Sequence, residues 1–413
     1  MRISKGVPAT MEVIPPPEEW LIRRDRTQQL MREAGLDGCL ISQNIGIYYL
    51  TGSMQTGYLF VPAQGDPTYY VRRSLTRALK ESKVHTVELG SFRQFGEQLA
   101  EDYPDVFGQG SADTHPRIGA DLDVMPAQLY LRLTGAVPHA EWSDASMLLR
   151  RVRSVKSEYE VSCISKAAEA AAAALQEGLS VLREGMTELE LMSVIETVMR
   201  RRGHVGLMRM RGYNQELVTG MVAAGEAAAE PTYFDGPAGG RGLTPAAPQS
   251  VSNRPIRRDE PILIDIGCCI DGYVIDQTRT AVIGELRPEL KKAYETADKI
   301  LRRSEELLQP GSKPEDIYTE ALQIAAGAGL SEHFMGFGPD QVKFLGHGIG
   351  LEIDEWPVLA KGFKEPLEPG MVIAVEPKFT FPEWGVVGVE NTYLITDTGC
   401  RPLTLSPEKI FEL

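Results

Sequence analysis

Histidine and cysteine are both scarce in this chain: six histidines and five cysteines among 413 residues. The cysteines, Cys39, Cys163, Cys268, Cys269 and Cys400, are odd in number and scattered, and none forms a CxxC spacing. This excludes a disulfide framework and suits free thiols in a reducing cytoplasm. Positive charge is in deficit. Lys and Arg number 43 against 57 Asp and Glu, a formal net charge of −14, which argues against nucleic acid or an anionic membrane as partner. Long apolar runs are missing as well, and none approaches the length of a membrane span. The basic start, MRISKGVPATMEVIPPPEEW, has no apolar core behind it and does not read as a secretory signal. What remains is an ordinary soluble composition, 43% apolar and 24% charged, on a chain long enough for two domains.

The first 152 residues read as an α/β domain. A helix from Glu18 to Ala34 precedes short strands at Cys39–Ile41, Tyr58–Pro62 and Thr68–Val71. Helical and strand segments then alternate up to Arg117–Ala120. No catalytic constellation is visible there; His85, His115 and His139 are scattered packing or surface residues. The charged stretch Arg150 to Ser157 marks the boundary, so residues 153–413 form the second domain. It opens with an alanine-rich helix from Ser157 to Gly178. Thr187-Glu188-Leu189-Glu190 is a capping-box pattern for a second helix that ends at Gly203. Strands are expected at Val205–Met210 and Leu217–Ala223, then a long loop rich in Ala, Gly and Pro. Helices follow at Glu289–Leu308 and Pro314–Ala326, then strands at Met371–Phe379 and Val386–Thr396. Helix, helix, strands, hairpin thus occurs twice, which reads as a two-fold internal repeat.

The first hairpin is Pro261 to Thr280, PILIDIGCCIDGYVIDQTRT. Asp271-Gly272 is a two-residue turn signal. Counting back from it, Ile270 faces Tyr273, Gly267 faces Asp276 and Asp265 faces Thr278. Asp265 and Asp276 then share a face as diagonal neighbours. Two carboxylates so close on a half-buried sheet repel unless a cation lies between them. Cys269 shares that face, where a small buried apolar residue is its simpler reading. In the second hairpin Glu376 and Glu390 interrupt the apolar runs Val372–Val375 and Val386–Val389. His347 lies in the glycine-rich run GHGIG, where the backbone can approach a site closely. Four carboxylates and one imidazole suit two divalent ions such as Mn, Co, Zn or Fe, which can hold a bridging hydroxide and polarise a carbonyl.

The stretches IDIGCCIDGYVIDQTRT, GHGIGLEIDEWP, GMVIAVEP and VGVENTYLIT resemble the signatures of the M24 metallopeptidase family, which includes Xaa-Pro dipeptidase (prolidase), aminopeptidase P and methionine aminopeptidase. YYLTGSMQTGYLFVP extends the resemblance to the N-terminal domain of the prolidase and creatinase branch. The resemblance implies a "pita-bread" α+β fold, a curved antiparallel sheet flanked by helices with pseudo-two-fold symmetry, behind an α/β N-terminal domain. It implies that Asp265, Asp276, His347, Glu376 and Glu390 are the metal ligands. Glu376 would also be the acid/base that exchanges a proton with the bridging water. The implied activity is two-metal hydrolysis of Xaa-Pro bonds in short peptides, by a cytoplasmic homodimer.

Three departures from the family pattern stand out. Asp354, in GLEIDEWP, takes the place of a usual active-site histidine; a carboxylate cannot donate a hydrogen bond unless protonated. A second usual histidine is absent, since nothing between Gly220 and Asp265 is histidine. Gly388 stands where many members carry Arg. Asp354 reads as a binder of a cationic substrate group or as a base, as in a dimethylsulfoniopropionate lyase branch of the same fold, or as a local partner for Lys361. Lys361 and its neighbours are candidates for the substrate carboxylate. Two alternatives to the peptidase therefore stay open. One is a non-peptidase member of the fold, a lyase or amide hydrolase acting on a small zwitterion. The other is a binding protein that kept the fold without catalysis.

Overall fold

Short β-branched and aromatic runs build the N-terminal unit. The computed structural model describes residues 15–108, 115–216 and 219–413. These form two compact units, 15–153 and 154–413. In the first, helix Pro17–Glu33 precedes six strands: β1 (Gly38–Ile41), β2 (Gly57–Pro62), β3 (Thr68–Val71), β4 (His85–Glu88), β5 (Arg117–Ala120) and β6 (Glu141–Asp144). They lie in the order β4-β3-β2-β1-β5-β6. β1–β2 and β2–β3 are antiparallel and the other pairs parallel. Leu40, Phe60, Tyr70, Phe95 and Leu133 centre its core.

Caps open the long helices of the second unit. Ser157 and Thr187 each complete a capping box, with Glu160 and Glu190, at the start of helices Glu158–Val181 and Glu188–Arg201. After them come β7 (Gly220–Ala224), β8 (Ile262–Ile270) and β9 (Tyr273–Val282). Helices Pro288–Leu307 and Pro314–Gly327 follow. Then come β10 (Phe344–Gly348), β11 (Glu355–Ala360), β12 (Val372–Val375), β13 (Lys378–Phe381), β14 (Gly385–Gly388), β15 (Asn391–Thr396), β16 (Gly399–Pro402) and β17 (Phe411–Glu412). One sheet runs β17-β9-β8-β7, another β11-β10-β12-β15-β16, and β13 pairs with β14. The runs β7-β8-β9 and β10-β12-β15 are the two copies of the repeat, each behind its own pair of helices. The two sheets are bridged where Glu390 N–H donates to the Thr278 carbonyl at 3.1 Å. Together they form the pita-bread fold. The second pair of helices packs on a core that includes Leu290, Ile300, Ile317, Ile373, Val375 and Tyr393. Among the described residues no helix is long and apolar enough to cross a membrane.

Three expected strands differ from the structure. Val205–Met210 is irregular. Val205 N–H bonds the Cys269 carbonyl at 2.9 Å, and Met208 sulfur fills the space that a side chain at Gly267 would take. Of the strand expected at Leu217–Ala223, residues 217 and 218 lie outside the described residues, and the rest is β7. The long strands expected at Met371–Phe379 and Val386–Thr396 are each broken in two. Pro377 has no N–H to give a ladder, so β12 ends before Glu376 and β13 turns away to pair with β14.

Candidate metal centre

Tight turn chemistry sets the first two acids. Asp271 and Gly272 both have positive φ, 53° and 89°, as a two-residue hairpin turn requires. The register follows: Ile270 faces Tyr273, Gly267 faces Asp276 and Asp265 faces Thr278. Asp265 and Asp276 are therefore diagonal neighbours on one face. Glu376 leaves the sheet at the break after β12, and Glu390 precedes β15. His347 is in β10, paired with Ala374 of β12. Asp265, Asp276, His347 and Glu376 line one cavity, and Glu390 is buried against them. One ligand atom from each of Asp276, His347 and Glu390 lies within 4.8 Å of the others, and the same holds for Asp265, Glu376 and Glu390. Glu390 belongs to both groups.

The hydrogen bonds orient these donors. The Gly348 carbonyl can only accept, so the 3.1 Å contact from His347 Nδ1 places the proton there and leaves Nε2 as a lone-pair donor. Thr278 Oγ1 donates to Glu390 Oε2 at 2.7 Å. Glu390 Oε1 is buried and has no partner among the described residues. A buried carboxylate oxygen with nothing to accept from is costly, and a cation beside it removes the cost. Burial, joined by the charges of Glu390 and Asp265, pushes the Asp276 carboxyl well above the usual carboxylate range. Burial likewise raises Asp265 and Glu376, although the Lys378 ammonium opposes it. For His347, burial disfavours the charged ring, but Asp354, Glu376 and Glu390 outweigh it and raise its pKa. The set is acidic, oxygen-rich and starved of balancing charge, which fits a divalent cation.

Lys378, which sequence reasoning missed, provides one positive charge against the four carboxylates. Its Nζ is 2.9 Å from Asp265 Oδ2, 2.5 Å from Glu376 Oε2 and 3.2 Å from Glu390 Oε2, with the side chain 1% exposed. A signal was present: KFTF alternates, so Lys378 points away from the face that buries Phe379 and Phe381, toward the acids. Arg279 was missed too. Buried behind Glu390, it donates to the carbonyls of Glu390 and Thr278, both at 2.7 Å, and to Asn391 Oδ1 at 2.8 Å. Burial lowers its pKa to about 10.

Asp354 faces the same cavity. Its Oδ1 is 3.6 Å from His347 Nδ1, too long for a hydrogen bond, and its side chain is 45% exposed. Asp235, Met208, Met221, Phe234 and Ile353 complete much of the lining. Lys361 is not brought to the site. It is exposed in the turn after β11 and does not line the cavity. Cys269, also on the hairpin, is fully buried, as a small packing residue.

Known proteins share this arrangement of the chain. Residues 162–397 match the family model for metallopeptidase family M24, and residues 23–155 match the creatinase/prolidase N-terminal domain. The Xaa-Pro dipeptidase of Pyrococcus furiosus is 26% identical over 390 residues, 94% of this chain and 99% of its own. The crystal structure of the prolidase from Pyrococcus horikoshii OT3 superposes with a TM-score of 0.76 at 25% identity, covering 93% of this chain and 98% of the other. The Xaa-Pro dipeptidase from Bacillus anthracis shares the fold, with a TM-score of 0.80 at 24% identity over 95% and 100% of the two chains. With more than half of its residues under the first family model, and with the fold to match, this chain belongs to metallopeptidase family M24.

Proposed function

We propose that this protein is a metal-dependent peptidase that cleaves Xaa-Pro bonds in short peptides. The observation that carries the reading is the convergence of Asp265, Asp276, His347, Glu376 and Glu390 into two donor groups that share Glu390. In this reading residues 153–413 are the catalytic domain and residues 1–152 the creatinase-type N-terminal domain. The five side chains are the ligands for divalent cations, two positions in all, with Mn, Co, Zn or Fe as candidates. Bound there, such a cation supplies Lewis acidity toward a peptide carbonyl and lowers the pKa of water. The chain's own residues do the rest. Glu376 lines the cavity, with Oε2 held by Lys378 and Oε1 3.7 Å from His347 Nε2; in this reading Oε1 takes a proton from water and returns it to the leaving amine. Thr278 and Arg279 fix Glu390 in place. Met208, Met221, Phe234 and Ile353 exclude bulk water from the reacting bond. A homodimer in a reducing, cytoplasmic setting completes the proposal; all five cysteines are free thiols.

One observation favours a second reading. Asp235 and Asp354 both line the cavity, two carboxylates outside the donor groups. They suit a substrate with a cationic group, such as a small zwitterion cleaved by a lyase or amide hydrolase on the same scaffold. The deciding experiment is a metal-reconstituted assay on Ala-Pro and on Ala-Pro-Xaa peptides, with metal content measured in parallel. Release of alanine from either peptide supports the first reading. Bound metal without peptide turnover favours the second. A chain that binds no metal would be a binding protein.

A further inference from the structure

One of the two donor groups already holds a cation. Asp265, Glu376 and Glu390 make up that group, and each gives an oxygen to Lys378 Nζ, at 2.9, 2.5 and 3.2 Å. The other group, Asp276, His347 and Glu390, has no such occupant among the described residues. From this we infer that the centre takes one divalent ion, at Asp276, His347 and Glu390, and that the Lys378 ammonium stands permanently in the second position. The inference rests on the metal-dependent reading above and narrows it: Asp265 and Glu376 then hold the Lys378 ammonium in place of a second metal ion.

Geometry and charge both support it. A divalent metal bound to carboxylate oxygens sits about 2.0–2.2 Å from them. An ion on Asp265 Oδ2, Glu376 Oε2 and Glu390 Oε2 would then overlap the ammonium that those three atoms surround. The lysine cannot swing clear at low cost. It is 1% exposed and emerges from β13 directly opposite Gly388. The bare Gly388 backbone makes room for it: a Cβ there would lie 2.6 Å from Lys378 Cγ. Leaving the site would also carry a charged group through a packed interior. The charge balance works with one ion. A dication and an ammonium against four carboxylates leave a single negative charge. A second dication beside the ammonium would reverse the sign and place two cations on the same oxygens.

The test is metal stoichiometry. The full-length chain is stripped with chelator, titrated with Mn²⁺ in a calorimeter and, after desalting, assayed for bound manganese. One ion per chain is expected for the wild type and for Lys378→Arg, which keeps the charge. Two ions are expected for Lys378→Met, which keeps the stem and removes the charge. The electron paramagnetic resonance spectrum of Mn²⁺-loaded wild type needs no variant, so it remains decisive should Lys378→Met fail to fold. A mononuclear six-line signal is expected, whereas a spectrum of two exchange-coupled ions would overturn the inference. Two ions per wild-type chain would also overturn it, as would one ion in both wild type and a folded Lys378→Met. A wild type that binds no manganese sinks the metal-dependent reading itself, and is told apart by the absence of any binding heat.

Discussion

Each carboxylate of the centre is defined by its neighbours. Glu390 is braced by Thr278 and Arg279, Glu376 is held by Lys378, and Asp276 Oδ1 has, among the described residues, only the Gln277 N–H at 2.9 Å as a hydrogen-bond donor. Asp354 differs from all of these. It is half exposed, outside both donor groups, and its charge faces His347 and the cavity at once. If it only turned His347, an isosteric amide would serve as well. If it binds a cationic group or moves a proton, the charge itself is needed. Asp354→Asn is expected to lower turnover about 100-fold, the low end of what a general acid or base contributes. Bound metal per chain should stay unchanged. The measurement is steady-state kinetics on the best substrate of the peptide panel beside metal analysis; near-parental turnover removes Asp354 from the mechanism.

At the scale of elements, the hairpin of β8 and β9 was legible because two local rules agree on it. Asp271-Gly272 fixes the turn, and alternation then assigns every residue to a face, so a slip by one residue would bury the wrong set. The capping boxes at Ser157 and Thr187 were legible for the same reason. The second hairpin was not. An apolar run through Val375 and Phe379 reads as one strand, and only the three-dimensional partners show that Pro377 divides it. Lys378 was overlooked because a lysine in an alternating strand ordinarily marks the solvent face. Arg279 was overlooked because nothing local reveals that four acceptors distant in sequence, on Glu390, Asn391, Ser406 and Pro407, await it. Those acceptors give a test. Arg279 also donates to the carbonyls of Ser406 and Pro407, at 2.6 and 2.8 Å, so it ties β9 to the segment after β16. Arg279→Met keeps the bulk and leaves these oxygens without donors. A loss of about 3 kcal/mol or more is expected, from several buried acceptors at once. Chemical denaturation of the chelated protein checks it; a change below about 1 kcal/mol would mean that water replaces the guanidinium.

For the whole molecule, a cluster of buried acids opposes folding unless protons or cations balance it. Burial holds Asp265, Asp276 and Glu376 above their ordinary values in the folded chain, and His347 is raised as well. A group raised in this way binds protons that the unfolded chain has released. Its contribution is complete below the unfolded value and is lost as pH rises through the folded one. Glu81, Glu190 and Glu226 are shifted the other way, so their contributions fade only below the ordinary carboxylate range; His204, lowered by its burial, opposes the trend but is outnumbered by the raised groups. Between about pH 5 and pH 8 the chelated protein should therefore lose stability as pH rises. A divalent ion acts in the reverse sense, because it needs the carboxylates ionised and displaces the protons. At about 100 times its dissociation constant it adds about 2.7 kcal/mol, and the affinity behind that figure grows with pH. The gap in unfolding temperature between Mn²⁺-loaded and chelated protein should thus widen from about pH 5.5 to pH 8. Thermal unfolding of both forms across that range measures it. A constant or narrowing gap would mean that the acids do not take up protons when the ion leaves, and that the buried lysine alone keeps them ionised.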